Sequence, residues 1–401
     1  MRIQFLGFGK KSPGLWSVLL LFVTVLLLSC DQAPIFLMIS REVLPRESRI
    51  KGVPTKMAIF EYEGDWGMYV ASYSLHRYAK DGNETVGWDR GNLPTPPGRV
   101  FDLAATVNYL YALTDPDSPA LYRLGNSATD WEQVTFLPGE GGRLQNIYSE
   151  TNSDATPASN GYLYASISVG SSYSIFYTDG SNPTLTKLKD GTSLLTGAAQ
   201  DSSGNHYFST KDAGDTDGIY YAASGTNSFN QIAETGKNVM GLIRTPSLTL
   251  ALCYNGDIFS MAGNGFTKLN SESTGYTFTG PAAVWRGTGD NVLLLVAIDA
   301  RPTHGYREIN ISSGSPAISD GRIQVQEPGN GPPTTVDSSD RYKTTINPKP
   351  INAILQVPDL IDPDMTLFAS IQGTGTTEKD TDGGLWSYRS RSEGWQWNGE
   401  E

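Results

Sequence analysis

Histidine and cysteine are nearly absent from this chain. Its 401 residues hold two cysteines, Cys30 and Cys253, and three histidines, His76, His206 and His304. Two cysteines cannot build a disulfide framework. No histidine stands in zinc-binding spacing such as His-Glu-x-x-His. A Gly-x-Ser-x-Gly elbow and a glycine-rich phosphate loop are also missing. Charge is sparse: 18% of residues are charged, and 42 acids against 30 bases leave a net charge of −12. No basic stripe with interleaved aromatics occurs, so nucleic acid and anionic lipid headgroups are disfavoured as partners. The chain is rich instead in glycine (43) and tyrosine (20), a composition that suits an exported all-β protein.

The ordering stretch is YLYALTDPDSPALYRLGNSATDWEQV, Tyr109 to Val134. Turn residues cut it into three pieces too short for helices. Its first piece has counterparts at GMYVA (Gly67), YLYAS (Tyr162), HYFST (His206), LTLAL (Leu248), LLLVA (Leu293) and TLFAS (Thr366). The steps from Gly67 onward are about 42, 53, 44, 42, 45 and 73 residues. A second piece follows each first: SLHRY, ALYRL, SIFYT, GIYYA, DIFSM, a looser GYREINI, and GLWSY. An outer strand closes each unit, as at Trp131–Val134 and Trp395–Trp397, the latter with Trp386 assigned to the outer part of the last unit. Small residues open the units: Ala104 and Ala105, Gly197 to Ala199, Gly241, Ala282 and Ala283, Ala353.

Four short strands per period of 40–50 residues is the signature of a β-propeller. The expectation is all-β: a seven-bladed propeller of four-stranded antiparallel blades over residues 55–401. The small residues fit innermost strands that converge on a channel. A Pro/Gly/Ser/Thr-rich loop, 327–350, lengthens the last step, and serves either binding or spacing.

The chain opens with Arg2, Lys10 and Lys11, an apolar run from Leu15 to Leu28, and Leu27-Leu28-Ser29-Cys30. The run is short for a membrane span and suits an export signal. Its end resembles the lipobox of bacterial lipoproteins. That resemblance implies a signal peptide over 1–29, cleavage before Cys30, and acylation there, so that the chain is anchored by lipid (palmitate) to a bacterial membrane, periplasmic or at the cell surface. Residues 30–54 would be a tether, and whether IFLMIS (Ile35–Ser40) closes the ring stays open. Loss of three positive charges with the signal would take the net charge from −12 to about −15. Cys253, in LALCY, reads as inert core.

Acidic residues recur between second and third strands. They are Asp115 and Asp117; Asp212, Asp215 and Asp217; Asp380 and Asp382; and, singly, Asp257 and Asp299. Together they would form an acidic rim at the channel mouth. Alternating Asp with a closing Gly resembles half of a calcium loop, although the distal Glu is absent and ordinary hairpin turns use the same residues. Turns such as GNSATDW and SRSEGWQW resemble degraded Asp-boxes of sialidase-type propellers, which are structural elements. Sialidase-like chemistry would need converging arginines, for which Arg77, Arg244 and Arg286 are candidates, and no catalytic residue can be assigned. The chain resembles propeller-type envelope lipoproteins. The expected function is therefore binding or scaffolding, in which rim loops engage a protein or glycan and no cofactor beyond a candidate calcium ion is needed. The alternatives are a glycan-active enzyme (sialidase-like or a glycoside hydrolase) in the channel, and a surface adhesin.

Overall fold

The computed structural model describes residues 50, 53–81, 85–89, 93–137, 140–211, 218–234, 238–287, 290–299, 305–326, 350–372, 383–389 and 395–397. Every helix or strand among them is a strand. The signal segment, Cys30, IFLMIS and nearly all of the loop 327–350 lie outside the described residues.

The strands fall into four-stranded antiparallel sheets, each built from a continuous piece of chain: 56–89, 100–136, 143–192, 194–234, 239–268, 278–326 and 351–397. The second strand of each sheet is hydrogen-bonded on both edges and sandwiched between neighbouring sheets. Its sequence is accordingly largely apolar, as in Thr249–Cys253 and Leu367–Ile371, where every residue is buried. Glu63 and Gly64 link Lys56–Tyr62 to Asp65–Ser72 with φ of 55° and 86°, the left-handed pair that a two-residue hairpin requires.

The first strands stand side by side. Lys56–Tyr62 packs beside Val100–Ala105, and the series continues through Arg143–Ser149, Leu194–Gln200, Val239–Arg244, Phe278–Arg286 and Ile351–Gln356. The last of these packs against Lys56–Tyr62 again. Seven separate hydrophobic clusters fill the spaces between successive sheets, including the one that joins 351–397 to 56–89. No sheet could hide its two faces alone, so stability comes from stacking neighbours. This is the architecture of a β-propeller.

Two features depart from the simple repeat. The outer strands of the second and third sheets pair in parallel, Thr184 with Thr135 and Leu185 with Phe136, which fuses these sheets into one of eight strands. The sixth sheet carries an added hairpin, Ile318–Ser319 with Arg322–Ile323, before its short fourth strand. Trp386, in GLWSY, lies in the third strand of the last sheet between Ala369 and Trp397, and Trp395–Trp397 forms the outer strand, as the repeat places them.

Candidate functional site: the central cup

Innermost strands are sheet edges, so half of their backbone groups face the channel. Their close approach explains the small residues. A Cβ on Gly241 would lie 2.8 Å from the carbonyl oxygen of Gly280, and one on Gly197 would lie 2.7 Å from the amide nitrogen of Leu242. A bulge recurs near the start of the innermost strand in every described sheet but the first. The extra residues are Phe101, Gln145, Thr196, Met240, Thr279 to Pro281, and Asn352. Bulges bend the strand and re-aim its edge, and four of these sites line the cavity.

The channel holds a cavity of about 540 Å³, a volume typical of a ligand site. One end is crossed by residues 151–155, which follow the C-terminal end of the third innermost strand. This segment is a compact knot. Thr151 bridges Pro157, the Asn152 amide N–H donates to the Thr156 carbonyl, and the Asp154 carboxylate accepts from both the amide and the hydroxyl of Thr156. The Arg286 guanidinium, on the sixth sheet, donates to the Ser153 hydroxyl at 3.3 Å. Ala155 packs against the cluster shared by the seventh and first sheets. The remaining lining belongs to innermost strands and Pro350, so among the described residues only this segment spans the channel. The cavity is a cup, closed on the side where each first strand ends. Its mouth lies on the side of the second-to-third strand turns.

Charged groups in the cup's described lining are Lys56, Arg244 and Asp154. Arg244 sits at the closed end and donates to the Gln200 carbonyl at 2.8 Å. Lys56 begins the first innermost strand, at the mouth, with its ammonium 3.5 Å from the centroid of the Tyr148 ring. Burial pulls its pKa down, but attraction to Tyr148 and Asp102 outweighs this and leaves it above the ordinary lysine value. Asp102 lies behind it, buried, with its two oxygens accepting from the Leu103 and Ile147 amides at 2.9 Å each. Burial raises the Asp102 pKa, against the pull of Lys56 and those amides.

Around the closed end, sheets are tied by polar contacts. Glu150, fully buried, accepts from the Tyr162 amide and the Tyr164 hydroxyl and pairs with His206 at 2.9 Å; Tyr162 stacks on the imidazole at 4.2 Å. Burial lifts the Glu150 carboxyl above its usual range, opposed by His206 and the two hydrogen bonds. His206 is thus a strand residue, as its repeat position suggests, and also half of a hydrogen-bonded pair between the third and fourth sheets.

The structure describes some of the candidate rim aspartates. Asp115, at φ 55°, turns its carboxylate back to accept from the Arg99 amide at 3.0 Å, against Gly98, so it caps a turn. Asp257 is buried and paired with Lys268 at 3.0 Å. Asp117 is exposed on the same loop as Asp115. Asp212, Asp215, Asp217, Asp380 and Asp382 lie outside the described residues. Among the described residues no cluster of three or more His, Cys, Asp or Glu could hold a metal ion.

The three candidate arginines do not converge. Arg244 and Arg286 stand at the closed end on adjacent strands, whereas Arg77 belongs to a third strand and donates to the Asp65 carbonyl. In the cup's described lining, Asp154 is the one carboxylate, and its turn engages it. Cys253 is a buried thiol in the core between the fourth and fifth sheets.

No protein-family model matches the chain, and no curated protein matches it. Its likenesses are structural. YCF48 bound to a D1 peptide aligns at TM-score 0.46 and 15% identity, covering 81% of this chain and 92% of that one. YCF48 from Cyanidioschyzon merolae gives 0.44 and 13%, over 81% and 93%. The WD40 propeller domain of Doa1 gives 0.45 and 10%, over 82% and 94%. Scores this low leave the functional argument to the cup itself.

Sequence reasoning missed Lys56 and the segment 151–155. Lys56 carries no motif. The crossing segment did leave a trace, since the step from Tyr109 to Tyr162 is about 53 residues where most are 42 to 45.

Proposed function

We propose that this chain is a lipid-anchored, seven-bladed β-propeller that holds a protein partner at the mouth of its cup. The carrying observation is the asymmetry of the channel: one end is crossed by 151–155, and the other is the open mouth, on whose second-to-third strand turns Tyr73, Val169 and Tyr254 are exposed, while Val107, Ile318 and Leu360 are exposed on the crossed side. Exposed apolar side chains around a concavity mark an interaction face. The seven sheets, each with a cluster on either side, supply the rigid frame from which those turns project.

The lipobox at Cys30 supports an anchor outside the cytoplasmic membrane, with the propeller tethered by residues 30–54. Two or three acyl chains hold a soluble domain stably, at about 0.8 kcal/mol per buried methylene. Hairpin turns account for Asp115, and no cofactor is required. Mass spectrometry of the mature N-terminus should find an acylated Cys30, and an unmodified cysteine would remove the anchor. Cleavage of loop 327–350 by added protease on intact cells would favour surface display, while cleavage only after disruption would place the protein in the periplasm.

The test of the partner uses a photo-crosslinking residue in the full-length protein in its own membrane, placed at Tyr73 or Tyr254 on the mouth side, or at Val107 or Leu360 on the other. The expected result is a discrete protein adduct from the mouth positions alone. Adducts from the opposite face alone, a carbohydrate adduct, or none at any position would overturn the reading.

A further inference from the structure

Of the two cations in the cup's described lining, Lys56 stands at the mouth and Arg244 at the floor, and Lys56 keeps hydrogen-bonding capacity toward the mouth. An ammonium has three donors and accepts nothing. Lys56 lies over the Tyr148 ring, and Tyr148 takes up at most part of its donor capacity through the π face and the hydroxyl. The nearest carboxylate, Asp102, already accepts from two backbone amides. The cavity lining mixes small apolar residues, such as Ala58, Ala104 and Ala353, with uncharged polar ones, such as Thr196, Thr279 and Asn352. Tyr148 and Asp102 already offset the cost of burying Lys56, so the cation is held ready at the mouth with donors left for an anionic ligand. Because Lys56 stays protonated, it acts by charge and not as a nucleophilic amine.

From this we infer that the cup is a carboxylate-binding subsite, in which Lys56 holds an acidic side chain or terminal carboxylate of the partner's polypeptide. The inference rests on the proposed docking of a protein at the mouth. A peptide is favoured over an acidic sugar because the lining is a circle of strand edges, whose free N–H and C=O groups match an extended backbone. The apolar turns Tyr73, Val169 and Tyr254 would receive the flanking residues outside the cup. Arg244, already committed to Gln200, closes the floor and is not needed for the charge contact.

The experiment titrates the full-length protein in detergent with acetyl-Ala-Ala-Glu-amide, acetyl-Ala-Ala-Gln-amide and methyl glucuronide, following ligand signals by NMR. The Glu peptide should bind at least about tenfold more tightly than the Gln peptide, and the sugar acid should bind more weakly than the Glu peptide. Lys56→Met should abolish the preference for Glu over Gln, and Lys56→Arg should restore part of it. Equal binding of the two peptides, or binding of neither, overturns the inference, and this comparison uses the natural protein alone, so it stands even if Lys56→Met unfolds. Preference for the sugar acid overturns the polypeptide as source. The mouth crosslinks decide the docking reading separately: adducts at Tyr254 with no Glu preference would discard the carboxylate subsite and keep the docking face.

Discussion

Ser153 of the third sheet accepts a hydrogen bond from Arg286 of the sixth across the closed end of the channel, at 3.3 Å. One short segment therefore converts a through-hole into a cup. If Arg286 pins it, Arg286→Ala should speed amide hydrogen exchange at 152–155 while global stability falls by no more than about 0.5–1.5 kcal/mol, the worth of one hydrogen bond. Unchanged exchange there would mean that Ala155 and the Thr156 contacts hold the crossing by themselves.

Close approach of the innermost strands makes a sharper prediction. Gly241→Ala would press a methyl against the Gly280 backbone, where nothing flexible can yield, and should cost about 1–3 kcal/mol in denaturant unfolding. Gly87→Ala is the control, because no atom lies within 4 Å of its added methyl. That substitution should be neutral within about 0.5 kcal/mol.

Tyr78 fastens the first sheet to the seventh. Its hydroxyl donates to the Asp362 carboxylate at 2.9 Å and accepts from Arg389 at 3.2 Å. Burial, then the Asp362 charge, pushes its pKa up to about 12. A phenol protonated in the fold above its ordinary value of about 10 favours the fold until the unfolded chain ionises, so this contribution is lost between about pH 10 and 12. In an ultraviolet titration, Tyr78→Phe should remove one phenol ionising near 12. Removal of one ionising near 10 would show that the contact with Asp362 is not made.

Glu150 gives a prediction on the acid side. Burial raises its folded pKa above the model-peptide value of 4.5, so the folded state holds that proton more tightly than the unfolded chain does. Its contribution is complete below 4.5 and is lost as pH rises through the raised value. The stability of Glu150→Gln relative to the natural protein should therefore improve as pH climbs through this window and level off above it. A pH-independent difference would show that His206 fully offsets the burial.

The repeat was legible because its carriers have no freedom. Second strands such as Tyr109–Thr114 and His206–Lys211 lie between two strands and two sheets, so their apolar runs repeat in type and spacing. Gly241 and Ala353 could be assigned to the channel for the steric reason the structure shows. The site was less legible. The partners of the turn aspartates are not visible in the pattern: Asp115 accepts from a backbone amide and Asp257 pairs with a lysine, arrangements set by φ and by a partner eleven residues on. Lys56, Tyr148 and Asp102 come from three different sheets, and no local pattern could bring them together.

The parallel pairing of Thr184 and Leu185 with Thr135 and Phe136 has a mechanical consequence. Among the described residues, other neighbouring units are joined by side-chain packing and by single main-chain bonds, such as Val100 to Tyr73 and Ser271 to Gly321, and not by paired strands. Here main-chain bonds stitch two units at their outer margin, so the pair must separate by unzipping as well as by sliding. Thermal breathing of the disc will begin elsewhere around its circumference, and the element that crosses the channel floor is rooted in the half that opens last.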